Sequence, residues 1–229
     1  MSEGYEELQY IVREPADDAA AKRPTLMLLH GYGSNEQDLM GLAPYLDPRF
    51  LMVSVRAPYA LDFGGYGWFP IEITERGIVL HFDDALVSCQ RVSKLVTSIA
   101  AEYPVDPACV MLLGFSQGAS ISVAVALEEP RRFAAVAALS GRCVPEMIPV
   151  NDQAVRDLPV FMSHGEFDQV IPIAQGRESH QLMRQLPLDL TYTEYAMGHE
   201  INQECLEDLR RWLAHQIDRR QQSATEPSS

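Results

Sequence analysis

Ser116 sits in the run Gly114-Phe115-Ser116-Gln117-Gly118, and its surroundings suit it to attack an acyl carbon. An apolar stretch, Val110-Met111-Leu112-Leu113, leads into the run, and a small-residue stretch from Gly118 to Ala124 leads out. That is the context of a strand turning sharply into a helix with the serine at the apex. Glycines two positions before and after relieve the crowding of such a turn. The serine oxygen then stands above the carboxyl edge of a sheet, beside free N–H groups and the positive end of the helix.

A serine hydroxyl is a poor nucleophile until a base takes its proton. Where a GxSxG turn joins strand to helix, the orienting acid and then the base follow the serine along the chain. The base candidates are therefore His164, His180, His199 and His215. His180 and His215 fall inside expected helices, and His164 is better placed to shape a loop. His199, in Ala196-Met197-Gly198-His199-Glu200, falls in a short loop after the last expected strand, where a base belongs. For the acid, Asp168 is the choice and Glu166 the runner-up, both in the loop after a buried strand and before Pro172. The acid would hold the His199 tautomer and stabilise the imidazolium that forms.

Acyl transfer also needs donors for a developing oxyanion. The backbone N–H of Gln117 is one. Leu29-His30-Gly31-Tyr32-Gly33 reads as a strand end running into a glycine-rich loop, which offers the N–H of Tyr32 as the second, with His30 supporting the loop. Trp68 and Phe69 are candidate pocket walls. They lie in residues 62–82, a glycine-rich loop expected to hold a small hairpin turning at Glu75-Arg76-Gly77. This segment is too short for a large cap, which points to an open groove and small or modest acyl chains.

These residues need a scaffold, and the apolar patterning supplies one. Leu8 to Val12 alternates as an edge strand does, whereas Thr25–Leu29, Phe50–Val55, Cys109–Leu113, Ala134–Leu139 and Leu158–Ser163 are continuous apolar runs that suit strands buried on both faces. Helical spacing is expected over Asn35–Tyr45, Asp83–Tyr103, Gln117–Leu127, Pro172–Gln185 and Ile201–Ile217, with Leu190–Tyr195 as the last strand. Strands alternating with helices predict an α/β domain with a mostly parallel central sheet covered on both faces. Residues 1–218 are expected to form that single domain, and 219–229 read as a disordered polar tail.

The chain has 229 residues and a net charge of −14, which disfavours nucleic acid, anionic membranes and strongly anionic substrates. No apolar run reaches the roughly 18 residues a membrane span needs, so no membrane insertion is expected. An acidic start without a following apolar stretch leads us to expect no secretory signal. Cys89, Cys109, Cys143 and Cys205 are widely separated, unlike zinc ligands, and read as buried small hydrophobes in a cytoplasmic protein.

The combination of Leu29-His30-Gly31-Tyr32-Gly33, Gly114-Phe115-Ser116-Gln117-Gly118, Leu139-Ser140-Gly141, His164-Gly165 with Asp168 and Pro172, and Gly198-His199 resembles the phospholipase/carboxylesterase family. That family includes bacterial carboxylesterases and acyl-protein thioesterases. The likeness spans roughly residues 8 to 216. It implies the α/β-hydrolase fold without a large cap domain, Ser116, Asp168 and His199 as a catalytic triad, and Tyr32 and Gln117 as oxyanion donors. It also implies an aromatic near the site at Trp68 and a groove-flanking residue at Val170. No cofactor or metal is implied. The expected partner is a small-molecule ester, with a thioester or lysophospholipid as the alternative; a homodimer is compatible with the sequence. A non-catalytic binding protein on the same fold is the rival of another class.

Overall fold

The apolar runs become the strands of one sheet in a computed structural model of the chain, which describes residues 7–15, 22–74, 77–147 and 152–225. The first half contains β1 (Tyr10–Arg13), β2 (Arg23–Leu29), α1 (Glu36–Met40), β3 (Leu51–Val55), β4 (Tyr59–Ala60), β5 (Tyr66–Gly67), β6 (Ile71–Thr74), β7 (Gly77–Leu80) and α2 (Phe82–Glu102). The second contains β8 (Val105–Phe115), α3 (Gln117–Glu128), β9 (Ala135–Leu139), β10 (Pro159–Gly165), α4 (Ile173–Met183), β11 (Asp189–Tyr195) and α5 (Gln203–Thr225). Seven strands form the main sheet in the order β1-β3-β2-β8-β9-β10-β11. Only the edge strand β1 runs antiparallel, against β3.

Side-chain alternation along each strand divides the core into two layers. Met27, Leu29, Val110 and Leu112 pack with residues of α2 and α3 on one face. Leu26, Leu28, Met111 and Leu113 pack with Leu39 of α1 and Cys205, Leu209, Leu213 and Ile217 of α5 on the other. Every residue of α3 from Gln117 to Leu127 is buried, so this helix is apolar nearly all round and leaves the sheet edge through the middle of the molecule.

Several boundaries differ from the sequence expectation for local reasons. α1 ends at Met40, and Gly41 to Tyr45 continue in tight turns, because Gly41 caps the helix and Pro44 has no N–H to extend it. β8 starts at Val105, with a register irregularity against β2 between Arg23 and Thr25 that accommodates the exposed stretch around Pro107. The hairpin expected in residues 62–82 is β6–β7, although Glu75 and Arg76 at its turn lie outside the described residues. α5 corrects the expected polar tail: the helix runs on to Thr225, held where Arg219 pairs with Asp189 (2.8 Å) and Arg220 donates to the Ala134 carbonyl. Positions 226–229 lie outside the described residues. No helix among the described residues is long and apolar enough to cross a membrane.

Candidate active site

Ser116 occupies the turn between β8 and α3 with φ 55° and ψ −118°, a conformation L-residues rarely adopt. Packing holds it there. A Cβ on Gly114 would lie 2.2 Å from the Gly118 carbonyl oxygen, and one on Gly118 would lie 2.0 Å from that of Leu29. The Ser116 N–H donates to Leu139 O at 2.9 Å, tying the turn to β9.

His199 reaches this serine from the loop after β11. Its Nε2 lies 2.9 Å from Ser116 Oγ, and its Nδ1 lies 2.7 Å from Asp168 Oδ2. A carboxylate only accepts, so Nδ1 carries the proton and Nε2 presents its lone pair to the hydroxyl. Asp168 is itself fixed: Oδ1 accepts the N–H groups of Val170 and Ile171, each at 2.8 Å. The buried His164 donates from Nε2 to Ile171 O (2.7 Å) and stands 3.4 Å from Asp168 Oδ2, so it braces the acid loop. The acid and base loops are also stitched together, Glu166 N–H to Tyr195 O and Phe167 N–H to Met197 O. Gly165 is required at their crossing, since a Cβ there would meet Gly198 O at 2.2 Å.

The remaining candidates stand apart from the serine. Glu166 is exposed, His215 is exposed on α5, and His180 stacks on Tyr192 at 4.1 Å. Burial pushes the Cys89 thiol up to about 12 and those of Cys109 and Cys205 up to about 11, so none of these three supplies a thiolate near neutral pH.

The glycine-rich loop after β2 passes directly beside the serine: a Cβ on Gly31 would come within 3.3 Å of Ser116 Cβ. Among the described residues the Tyr32 N–H has no hydrogen-bond partner, and the Gln117 N–H opens α3, where no intrahelical acceptor exists. His30 braces this loop from inside. Its Nε2 accepts the Ala57 N–H (3.1 Å), so Nδ1 is the protonated nitrogen and donates to Gly31 O (2.7 Å). Burial holds His30 below the usual histidine range, which keeps this neutral tautomer.

An open pocket of about 610 Å³ lies over these groups. Tyr32, Phe69, Ile71, Val144, Val170 and Ile171 give it apolar walls, and Gln117, Ser120, Arg142 and Gln175 are polar, with Ser116 and His199 also in its lining. Phe69 and Val170 thus sit where the sequence put them. Trp68 does not: it is fully buried, and its indole N–H donates to His30 O at 2.8 Å, so it supports the loop after β2 from behind rather than walling the pocket.

Two contributions escaped the sequence reading. The Gln117 side chain accepts the Trp68 N–H at 2.6 Å and donates to Phe69 O at 2.8 Å, fastening the segment between β5 and β6 to the serine turn. A long amide where only a backbone N–H is needed was the available signal. Arg142 was missed as a pocket residue, although it directly follows Leu139-Ser140-Gly141.

A model of the phospholipase/carboxylesterase family matches residues 11–217. The chain belongs to that family. That membership places it among hydrolases. An acyl-protein thioesterase of Kluyveromyces lactis is 26% identical over 221 residues, covering 87% of this chain and 94% of the relative. A probable inactive carboxylesterase of Oryza sativa is 28% identical over 222 residues, covering 87% of each. The Bacillus cereus carboxylesterase structure superposes with a TM-score of 0.77 at 21% identity, covering 91% of this chain and 94% of that one, and identifies the α/β-hydrolase fold.

Proposed function

We propose that the chain is a serine esterase acting on small to medium carboxylic esters. The observation that carries this reading is the continuous chain of hydrogen bonds from Ser116 Oγ through His199 to Asp168. Ser116 Oγ attacks the ester carbonyl while His199 Nε2 takes its proton, and Asp168 stabilises the resulting imidazolium. The Tyr32 and Gln117 N–H groups stabilise the tetrahedral oxyanion. Collapse breaks the bond to the alcohol oxygen, which leaves with the proton from His199, and an acyl-enzyme forms. Water, deprotonated by His199, then attacks the acyl carbon, releasing the acid and restoring Ser116.

Replacing Ser116 with Ala is expected to lower turnover of p-nitrophenyl butyrate by about 10⁴–10⁶-fold while the protein stays folded. Undiminished turnover in that variant would refute the assignment. A second reading, thioester hydrolysis, is favoured by the thioesterase relative of Kluyveromyces lactis. It uses the same groups, and kcat/KM on matched oxygen esters and thioesters decides between them. A non-catalytic role is disfavoured because Ser116, His199 and Asp168 stand in an unbroken run of hydrogen-bonding distances. The four free cysteines accord with a reducing, cytoplasmic setting.

A further inference from the structure

Arg142 is the one permanently charged side chain among the described residues that line the pocket over Ser116. Its backbone is held on both sides. The buried Ser120 hydroxyl donates to Arg142 O at 2.7 Å, and the next N–H, that of Cys143, donates to the buried Ser179 hydroxyl at 2.9 Å. Gly141 anchors the approach, because a Cβ there would lie 2.5 Å from Ala119 Cβ and 3.1 Å from Ser116 O. The root of the side chain is therefore fixed next to the nucleophile.

The guanidinium itself is uncommitted among the described residues. The chain has 32 acidic residues against 18 basic ones, and Arg49, Arg56, Arg132 and Arg177 each hold a carboxylate. Among the described residues Arg142 has no such partner. A planar cation with a full set of donors, in a pocket that also offers apolar walls and the Gln175 amide, suits bidentate capture of an oxyacid group. Building on the esterase reading, we propose that Arg142 forms a subsite for an anionic group, carboxylate or phosphate, carried by the ester away from its scissile carbonyl. The overall charge of −14 repels anions, so a preference for a charged ester requires a local cation of this kind.

The test pairs each charged ester with a neutral counterpart of similar size: methyl hydrogen glutarate with methyl pentanoate, and butyrylglycerol phosphate with butyrylglycerol. The wild type is expected to favour at least one charged member by about tenfold in kcat/KM, as a partly solvated charge-assisted bond gives. Which one is favoured identifies carboxylate or phosphate as the group. Arg142→Gln should bring the ratio to one or below, Arg142→Lys should restore part of it, and added salt should diminish it. No preference in the wild type, or a preference kept by Arg142→Gln, overturns the proposal. Calorimetric titration of glutarate and of glycerol phosphate into the wild type and Arg142→Gln gives a readout independent of turnover. Binding by the wild type that Arg142→Gln loses upholds the subsite even if no ester is cleaved, whereas equal or absent binding counts against it. Lack of all ester cleavage alone would instead refute the esterase reading.

Discussion

The proton inventory at Ser116 follows from acceptors that cannot donate. Asp168 accepts at both oxygens, which leaves His199 protonated on Nδ1 and basic toward the serine. Asp168→Asn preserves shape but offers an NH₂ group that favours the wrong tautomer, so kcat is expected to fall about 10⁴-fold with folding intact. Steady-state kinetics beside a thermal melt checks both halves. His30 gives a second prediction at this scale. Its folded pKa lies below the ordinary histidine value because it is buried, so the unfolded chain takes up the proton first. Its contribution to stability is full above pH 6.5 and is lost as pH falls through the folded value. The difference in Tm between wild type and His30→Asn should therefore narrow on acidification, and a constant difference would refute the buried neutral role. Ser116, Asp168 and His199 were legible because motif, chain order and loop position agreed. Trp68 was misread because an aromatic among glycines carries the same sequence signal whether it faces the pocket or, as here, faces His30.

At the level of elements, the segment joining β5 to β6 depends on a side chain from α3. Gln117→Ala keeps the backbone N–H proposed for the oxyanion but orphans the Trp68 N–H and Phe69 O that its amide satisfies. A loss of about 1–3 kcal/mol in denaturant unfolding is expected, because buried polar groups are left unpaired. An unchanged midpoint would show that the clamp contributes nothing. The continuous apolar runs that became β2, β8 and β10 were legible because strands buried on both faces tolerate little else. Boundaries were less so. The extended α5 brings Arg219 onto Asp189 at the start of β11, a contact between residues 30 positions apart that periodicity cannot reveal. The Gln117 clamp bridges 48 and 49 positions and was hidden for the same reason.

For the molecule as a whole, alternation of buried strands with helices was enough to give a parallel sheet with two covered faces, since few other arrangements bury such strands. What alternation could not convey was the pocket, whose lining comes from segments far apart in the chain, Tyr32 to His199. Its open form and volume of about 610 Å³ predict efficient cleavage of short and medium acyl esters and a decline for long chains that cannot be enclosed. A graded acyl series tests this, and best turnover on palmitoyl esters would contradict it. The central claim, that the base at position 199 activates the hydroxyl at 116, is reached most directly by covalent labelling. After treatment with a fluorophosphonate, peptide mass spectrometry should find one adduct, on Ser116, formed far more slowly in His199→Ala and absent in Ser116→Ala. An adduct on another residue, or labelling of Ser116 at the same rate without His199, would contradict the account.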